Sequence, residues 1–147
     1  MRSSPDDLLP ATTDGPDATE ALGRALGARL VPGTVVTLSG DLGAGKTHLT
    51  RGLVAGLGGD ADDVSSPTFA LVQTYRARPG LVVHHLDAYR LDGPTAFRDI
   101  GGDDYLDPQD DAVTILEWPE RVASLVPPDA LRLVLRHDGE RRRIERA

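Results

Sequence analysis

Gly40-Asp41-Leu42-Gly43-Ala44-Gly45-Lys46-Thr47 fits G-x-x-x-x-G-K-[ST], the pattern of a loop whose backbone cradles the phosphates of a nucleoside triphosphate. The flanking residues supply the context that the pattern needs. Val35-Val36-Thr37-Leu38 is a β-branched, apolar run suited to a buried parallel strand, preceded by the turn pair Pro32-Gly33. After the loop, Leu49, Leu53, Val54 and Leu57 recur at helical spacing until Gly58-Gly59 supplies a stop. Strand, glycine loop and helix in this order predict an α/β protein: a single P-loop NTPase domain with a mixed, mainly parallel central sheet flanked by helices.

The residue types follow from what a phosphate chain requires. Gly43 and Gly45 allow backbone conformations closed to side chains with a Cβ, so that successive N–H groups converge on the anion, and Ala44 between them adds almost no bulk. The positive end of the following helix faces the same point. Lys46 reaches the β- and γ-phosphates, the Thr47 hydroxyl is a Mg²⁺ ligand, and the backbone from Leu42 through His48 lines the nucleotide. Lys46 is the only lysine in the chain; the other fifteen of the sixteen Lys and Arg residues are arginine, so a compact ammonium here answers a chemical demand.

Composition limits the alternatives. A chain of 147 residues makes one domain with a real core. The net charge of -7 argues against the isolated chain holding a nucleic acid by itself, because such binding rests on clustered cations. With no cysteine, disulfides, thiolate metal sites and cysteine nucleophiles are excluded. No signal-like apolar segment and no membrane-length apolar run is read, so a cytoplasmic, membrane-free chain is expected; the isolated chain is expected to be monomeric.

Outward from the loop, residues 1–16 are rich in Ser, Pro, Asp and Thr without a sustained period and are expected to form a flexible tail, leaving 17–147 as the ATPase domain. Asp17 and Glu20 have capping-box spacing, and Leu22, Ala25, Leu26 and Leu30 mark one face of a helix. Phe69 to Tyr75 and Leu81 to Leu86 are strand-like runs joined through Pro79-Gly80, a predicted antiparallel hairpin. Pro94 to Ile100 reads as a short helix, Ala112 to Leu116 as a buried strand, and Pro119 to about Leu125 as another short helix. Alternation from Leu131 to Leu135, with Asp138-Gly139 turning into Arg141 to Arg146, predicts a closing hairpin.

A loop that holds MgATP needs an acidic residue at the end of a neighbouring strand to place the metal and the attacking water. Asp87, after Leu81 to Leu86, and Glu117, after Val113 to Leu116, both qualify. Ser66, Pro67 and Thr68, on a Pro-stiffened segment after the first helix of the motif, are placed as γ-phosphate-sensing switch segments are, although a simple turn accounts equally for them. His84 and His85 are expected to pack or face solvent rather than bind metal. Trp118 is expected in the core, and Arg141 to Arg143 on a solvated strand face.

Taken in order, the glycine loop, Ser66-Pro67-Thr68-Phe69, His85-Leu86-Asp87-Ala88-Tyr89-Arg90-Leu91 and Leu116-Glu117-Trp118-Pro119 resemble the TsaE family, small bacterial ATPases of tRNA threonylcarbamoyladenosine biosynthesis. The resemblance covers about Leu22 to Arg121. It implies an ATPase that works with TsaB and TsaD in a complex installing threonylcarbamoyl on the adenosine beside the anticodon, tRNA being met only through that complex. It further implies that the loop, with Lys46, binds ATP, that Thr47 and Glu117 hold Mg²⁺, that Asp87 positions metal or activates water, that Ser66 to Thr68 form a switch, and that adenine lies near Asp17 to Thr19. His48 departs from the second Thr common in the family, and the acidic-aromatic run at Asp103-Asp104-Tyr105 is looser.

Two other readings share the loop. A small-molecule kinase needs an acceptor pocket and an Arg-bearing lid, for which the chain leaves little room. A GTP-dependent switch or binding module needs the guanine-reading Asn-Lys-x-Asp, and the chain contains no asparagine, which favours ATP.

Overall fold

A computed structural model describes residues 4–41, 43–64 and 72–147. The elements are β1 (Ala11–Thr13), α1 (Pro16–Gly27), β2 (Val35–Gly40), α2 (Lys46–Gly56), β3 (Val72–Arg76), β4 (Val82–Asp87), α3 (Pro94–Asp99), β5 (Ala112–Glu117), β6 (Leu131–Asp138) and β7 (Arg141–Arg146). They build a seven-stranded sheet of order β1-β7-β6-β2-β5-β4-β3. Its central strands β6, β2, β5 and β4 run parallel to one another, and the antiparallel pairs β4/β3, β6/β7 and β7/β1 lie toward the edges. The mixed, mainly parallel sheet expected from the strand-loop-helix order is the one observed, and both predicted hairpins form.

The β-strand period distributes the core to the two faces of this sheet. Val36, Leu38, Val113, Ile115, Leu133 and Leu135 join Leu26, Leu49, Leu53 and Leu57 in one cluster under α1 and α2. Val35, Leu86 and Leu116, one residue out of phase, join Phe97, Leu106 and Val122 in the other. β5 is buried along its whole length, as befits a parallel strand covered on both sides. Thr114 points to the second face and its hydroxyl donates to the Tyr105 carbonyl oxygen at 2.6 Å, which makes a polar residue tolerable there.

α1 and α2 cross on glycine. A Cβ on Gly23 would lie 2.5 Å from the Leu49 carbonyl oxygen, one on Gly27 2.4 Å from that of Leu53, one on Gly52 2.1 Å from that of Glu20 and one on Gly56 2.2 Å from that of Arg24. Each helix thus presents two glycines four residues apart to the other's backbone. This close approach seats α2, and with it the phosphate loop, against the start of α1.

Two local expectations differ from the structure. Ala11–Thr13, assigned from sequence to a flexible tail, is an edge strand whose Ala11 pairs with Ile144 and Thr13 with Arg142. The capping box does not form: the helix starts two residues earlier, at Pro16 with Gly15 as its cap, and Glu20 instead accepts from Arg51 Nε at 2.9 Å. Proline at the first helical position has no N–H to satisfy, so it defines the start without a side-chain cap. The short helix expected after Trp118 forms with the expected bounds, Pro119–Leu125, as a 3-10 helix interrupted by a non-helical Val122. The predicted strand from Phe69 is described from Val72 onward, and its first residues lie outside the described residues.

Candidate active site

β2 is a central strand, so whatever leaves its C-terminal end lies over the middle of the sheet, where ligands of open α/β folds bind. Gly40 ends it at φ 141, a conformation that favours glycine, and a Cβ there would sit 2.4 Å from the Leu135 carbonyl oxygen of β6. Gly43 (φ 80) and Gly45 (φ 101) are left-handed, and Gly45 caps α2. The first residues of α2 are therefore Lys46 and Thr47, with Thr47 partly exposed in the first turn. Leu42, expected to line the nucleotide, and the switch-like Ser66, Pro67 and Thr68 lie outside the described residues. Ala44 is fully buried, consistent with the small residue required between the glycines.

Parallel pairing brings the acidic candidates to the same edge. Glu117 is in register with Leu38 of β2 on one side and Asp87 of β4 on the other, so both carboxylates end strands beside the loop. Backbone bonds tie these ends together: Ala88 N–H donates to the Glu117 carbonyl oxygen at 3.1 Å, and Trp118 N–H to that of Leu38 at 3.2 Å. Asp87 is half-buried; its Oδ1 accepts from the Tyr89 N–H at 2.9 Å. Burial pushes its carboxyl above the usual carboxylate range, with the Glu117 charge acting in the same direction against the Tyr89 hydrogen bond, His85 and Lys46.

Lys46 is 6 % exposed. Its Nζ donates to the Gly40 carbonyl oxygen at 2.6 Å and lies 3.8 Å from the centroid of the Trp118 ring. Burial lowers its pKa, opposed by the negative charges of Glu117, Asp87, Glu120 and Asp41. A desolvated ammonium is one whose attraction for a phosphate chain is little screened by water. Trp118 is not simply a core residue: it adopts φ 59, ψ 51, unusual for a bulky side chain, and its ring stacks on Tyr89 with centroids 4.8 Å apart, while Arg121 lies 5.8 Å from the Tyr89 centroid.

Glu117 itself is 5 % exposed and is joined to a buried chain of polar groups that sequence reasoning did not assemble. Its Oε2 lies 2.6 Å from His85 Nε2; His85 Nδ1 lies 3.1 Å from the Tyr75 hydroxyl, which donates to Gln73 Oε1. Burial, with the charges of Glu117 and Asp63, pushes the Tyr75 phenol up to about 12, so it stays a neutral link. His85 is packed, as expected from its place on a strand, whereas His84 is partly exposed, lies 3.0 Å from the Thr74 hydroxyl and packs edge-on against Tyr105.

The donor set fits a nucleotide-bound Mg²⁺ and not an all-protein metal cage. Among the described residues no cluster of three or more His, Cys, Asp or Glu is arranged to hold an ion alone. Mg²⁺ commonly takes only one or two carboxylates, the remaining positions coming from phosphate and water, and Thr47, Glu117 and Asp87 are candidate oxygen donors at this edge.

Beside the loop a cleft of about 260 Å³ is lined by Gly15, Pro16, Thr19, Gly45, His48 and Arg142, among others. Thr19 is fixed there by hydrogen bonds to the Thr13 hydroxyl (2.6 Å) and the Gly15 carbonyl oxygen (3.1 Å). Of the basic run, Arg142 borders this cleft while Arg143 pairs with Glu145.

The family model of threonylcarbamoyl adenosine biosynthesis protein TsaE matches residues 13–144. The chain is 36 % identical over 128 residues to the Bacillus subtilis tRNA threonylcarbamoyladenosine biosynthesis protein TsaE, covering 87 % of this chain and 77 % of that one. It is 40 % identical over 125 residues to the Treponema pallidum protein of the same name, covering 84 % and 89 %. Among solved structures, YdiB of Bacillus subtilis superposes with a TM-score of 0.68 at 29 % identity, covering 92 % of this chain and 82 % of that one.

Proposed function

The chain belongs to the TsaE family of tRNA threonylcarbamoyladenosine biosynthesis, and from that premise we propose that it binds ATP with Mg²⁺ and hydrolyses it slowly, in concert with a TsaB–TsaD complex. The nucleotide state would regulate or reset that complex, and the chain would meet tRNA only through it, in the cytoplasm. The observation that carries the reading is the meeting of Lys46, Thr47, Glu117 and Asp87 at one end of three adjacent parallel strands and the helix that follows the first of them.

In this reading the amides from Gly43 to Thr47 and the N-terminus of α2 take the phosphate chain, and Lys46 moves its ammonium from the Gly40 carbonyl oxygen to the β- and γ-phosphates. Thr47 and Glu117 hold Mg²⁺, which neutralises charge on the phosphate oxygens when bound. Asp87, beside Glu117 and with its carboxyl already pushed upward by burial, orients the attacking water and accepts its proton. The cleft bordered by Pro16, Thr19 and His48 takes the nucleoside, close to the residues for which the family resemblance implies adenine. His48 places an imidazole ring at the border of this cleft.

The test is ATP turnover by the purified chain with and without TsaB–TsaD. Stimulation that needs both partners, and falls at least about a hundredfold in Glu117→Gln, supports the proposal. Phosphate release indifferent to the partners, or accelerated by small hydroxylated metabolites, contradicts it.

A further inference from the structure

Glu117 reaches its metal-facing position on a β-strand, and its carboxylate still has rotamer freedom that the backbone does not remove. What removes it is His85. Oε2 of Glu117 is 2.6 Å from His85 Nε2, and no side chain among the described residues hydrogen-bonds the other oxygen, Oε1. His85 is itself fixed: it is 1 % exposed, lies in parallel register with Ile115 two residues before Glu117, and its other ring nitrogen faces the Tyr75 hydroxyl at 3.1 Å. The Tyr75 hydroxyl, itself bonded to Gln73 Oε1, faces the Nδ1 side of the His85 ring and fixes its orientation. The chain runs Gln73, Tyr75, His85, Glu117 across three strands, from the sheet edge to the proposed metal site.

A core network needs only to satisfy its own members. This one ends on the carboxylate of the candidate metal ligand and holds one oxygen while leaving the second outside any hydrogen bond among the described residues. Ligands whose outer partners fix their orientation bind metal about 10- to 100-fold better than those without them. We propose that His85 is a positioning residue for Glu117, with Tyr75 holding the ring, and that this relay sets the affinity of the site for the nucleotide-bound divalent cation. The proposal rests on the reading of Glu117 as a Mg²⁺ ligand.

Mn²⁺, which shares the octahedral oxygen preference of Mg²⁺, is the probe. Its dissociation constant from the full chain saturated with ADP is read from the free-Mn²⁺ paramagnetic resonance signal, beside ADP affinity measured in EDTA. His85→Leu is expected to weaken Mn²⁺ about tenfold and leave ADP binding in EDTA within about twofold of wild type, while His85→Gln, which keeps a donor toward Glu117, returns Mn²⁺ to within about threefold. Wild-type Mn²⁺ affinity in His85→Leu, with Glu117→Gln weakened, overturns the positioning role and leaves the Glu117 reading intact; so does a Gln variant as weak as the Leu variant. Wild-type Mn²⁺ affinity in Glu117→Gln overturns the reading of Glu117 itself. If His85→Leu loses ADP in EDTA as well, Tyr75→Phe decides: Mn²⁺ weakened at least about threefold with ADP binding intact supports the relay, and unchanged Mn²⁺ overturns it.

Discussion

Asp87 carries an electrostatic cost that has a definite sign. Its carboxyl is raised above the ordinary value of 3.8 by burial, so the folded protein holds its proton more tightly than the unfolded chain does. Stability therefore falls as pH rises from about 3.8 through the raised value, and the penalty is complete above it. Asp87→Asn, whose side-chain oxygen can still accept from Tyr89 N–H, is expected to be modestly more stable than wild type at pH 7, solvent at this half-buried position screening part of the effect, with the gain vanishing below the ordinary carboxylate range. Urea midpoints across pH measure this, and an Asn variant less stable than wild type at neutral pH would contradict it. At this scale the sequence exposes what is local. Lys46 and Thr47 are legible because the loop's chemistry fixes their spacing, and Asp87 and Glu117 because each ends an apolar run. That His85 bonds Glu117 is not legible, since the two are 32 residues apart and meet only through the register of β4 on β5. The unusual backbone of Trp118 leaves no trace in composition either.

Among the elements, the α1–α2 crossing most constrains the site, because α2 presents Lys46 and α1 borders the adjacent cleft at Pro16 and Thr19. A glycine-to-alanine change in an open helix gains about 1 kcal/mol from propensity. At Gly52 the added methyl meets the Glu20 carbonyl oxygen at 2.1 Å and the Arg24 nitrogen at 2.8 Å, backbone atoms that cannot swing aside. Overpacking of this kind costs about 1–3 kcal/mol, so Gly52→Ala is expected to lower the urea midpoint and to weaken ATP binding by shifting α1. A stabilised variant would mean that the helices separate freely. Gly23 and Gly27, and Gly52 and Gly56, share a four-residue spacing visible in the chain itself, but their pairing depends on how the helices cross. β1 escapes sequence reading for a related reason: Ala11–Thr13 is too short to show a period and becomes a strand only because β7 offers an edge.

Over the whole molecule, the decisive fact is strand order. β2 lies between β6 and β5, so the loop that leaves it stands over the centre of the sheet, and β5 and β4 deliver Glu117 and Asp87 to the same side. The strand-loop-helix order and the predicted hairpins pointed to a mixed sheet, while the order of strands within it follows from no single segment. The chain's charge of -7 and the pairing of Arg136 and Arg143 with Glu145 agree with the proposal that it meets tRNA only through partners. The proposed function rests on one grip, an ammonium and a set of main-chain amides that would close on a triphosphate. The direct measurement is calorimetric titration of MgATP into the wild-type chain and into Lys46→Ala. Saturable binding by the wild type that weakens at least about a hundredfold in the variant is the predicted result. Equal affinity in the two proteins, or no binding of MgATP to a folded wild-type chain in the presence of TsaB–TsaD, would contradict it.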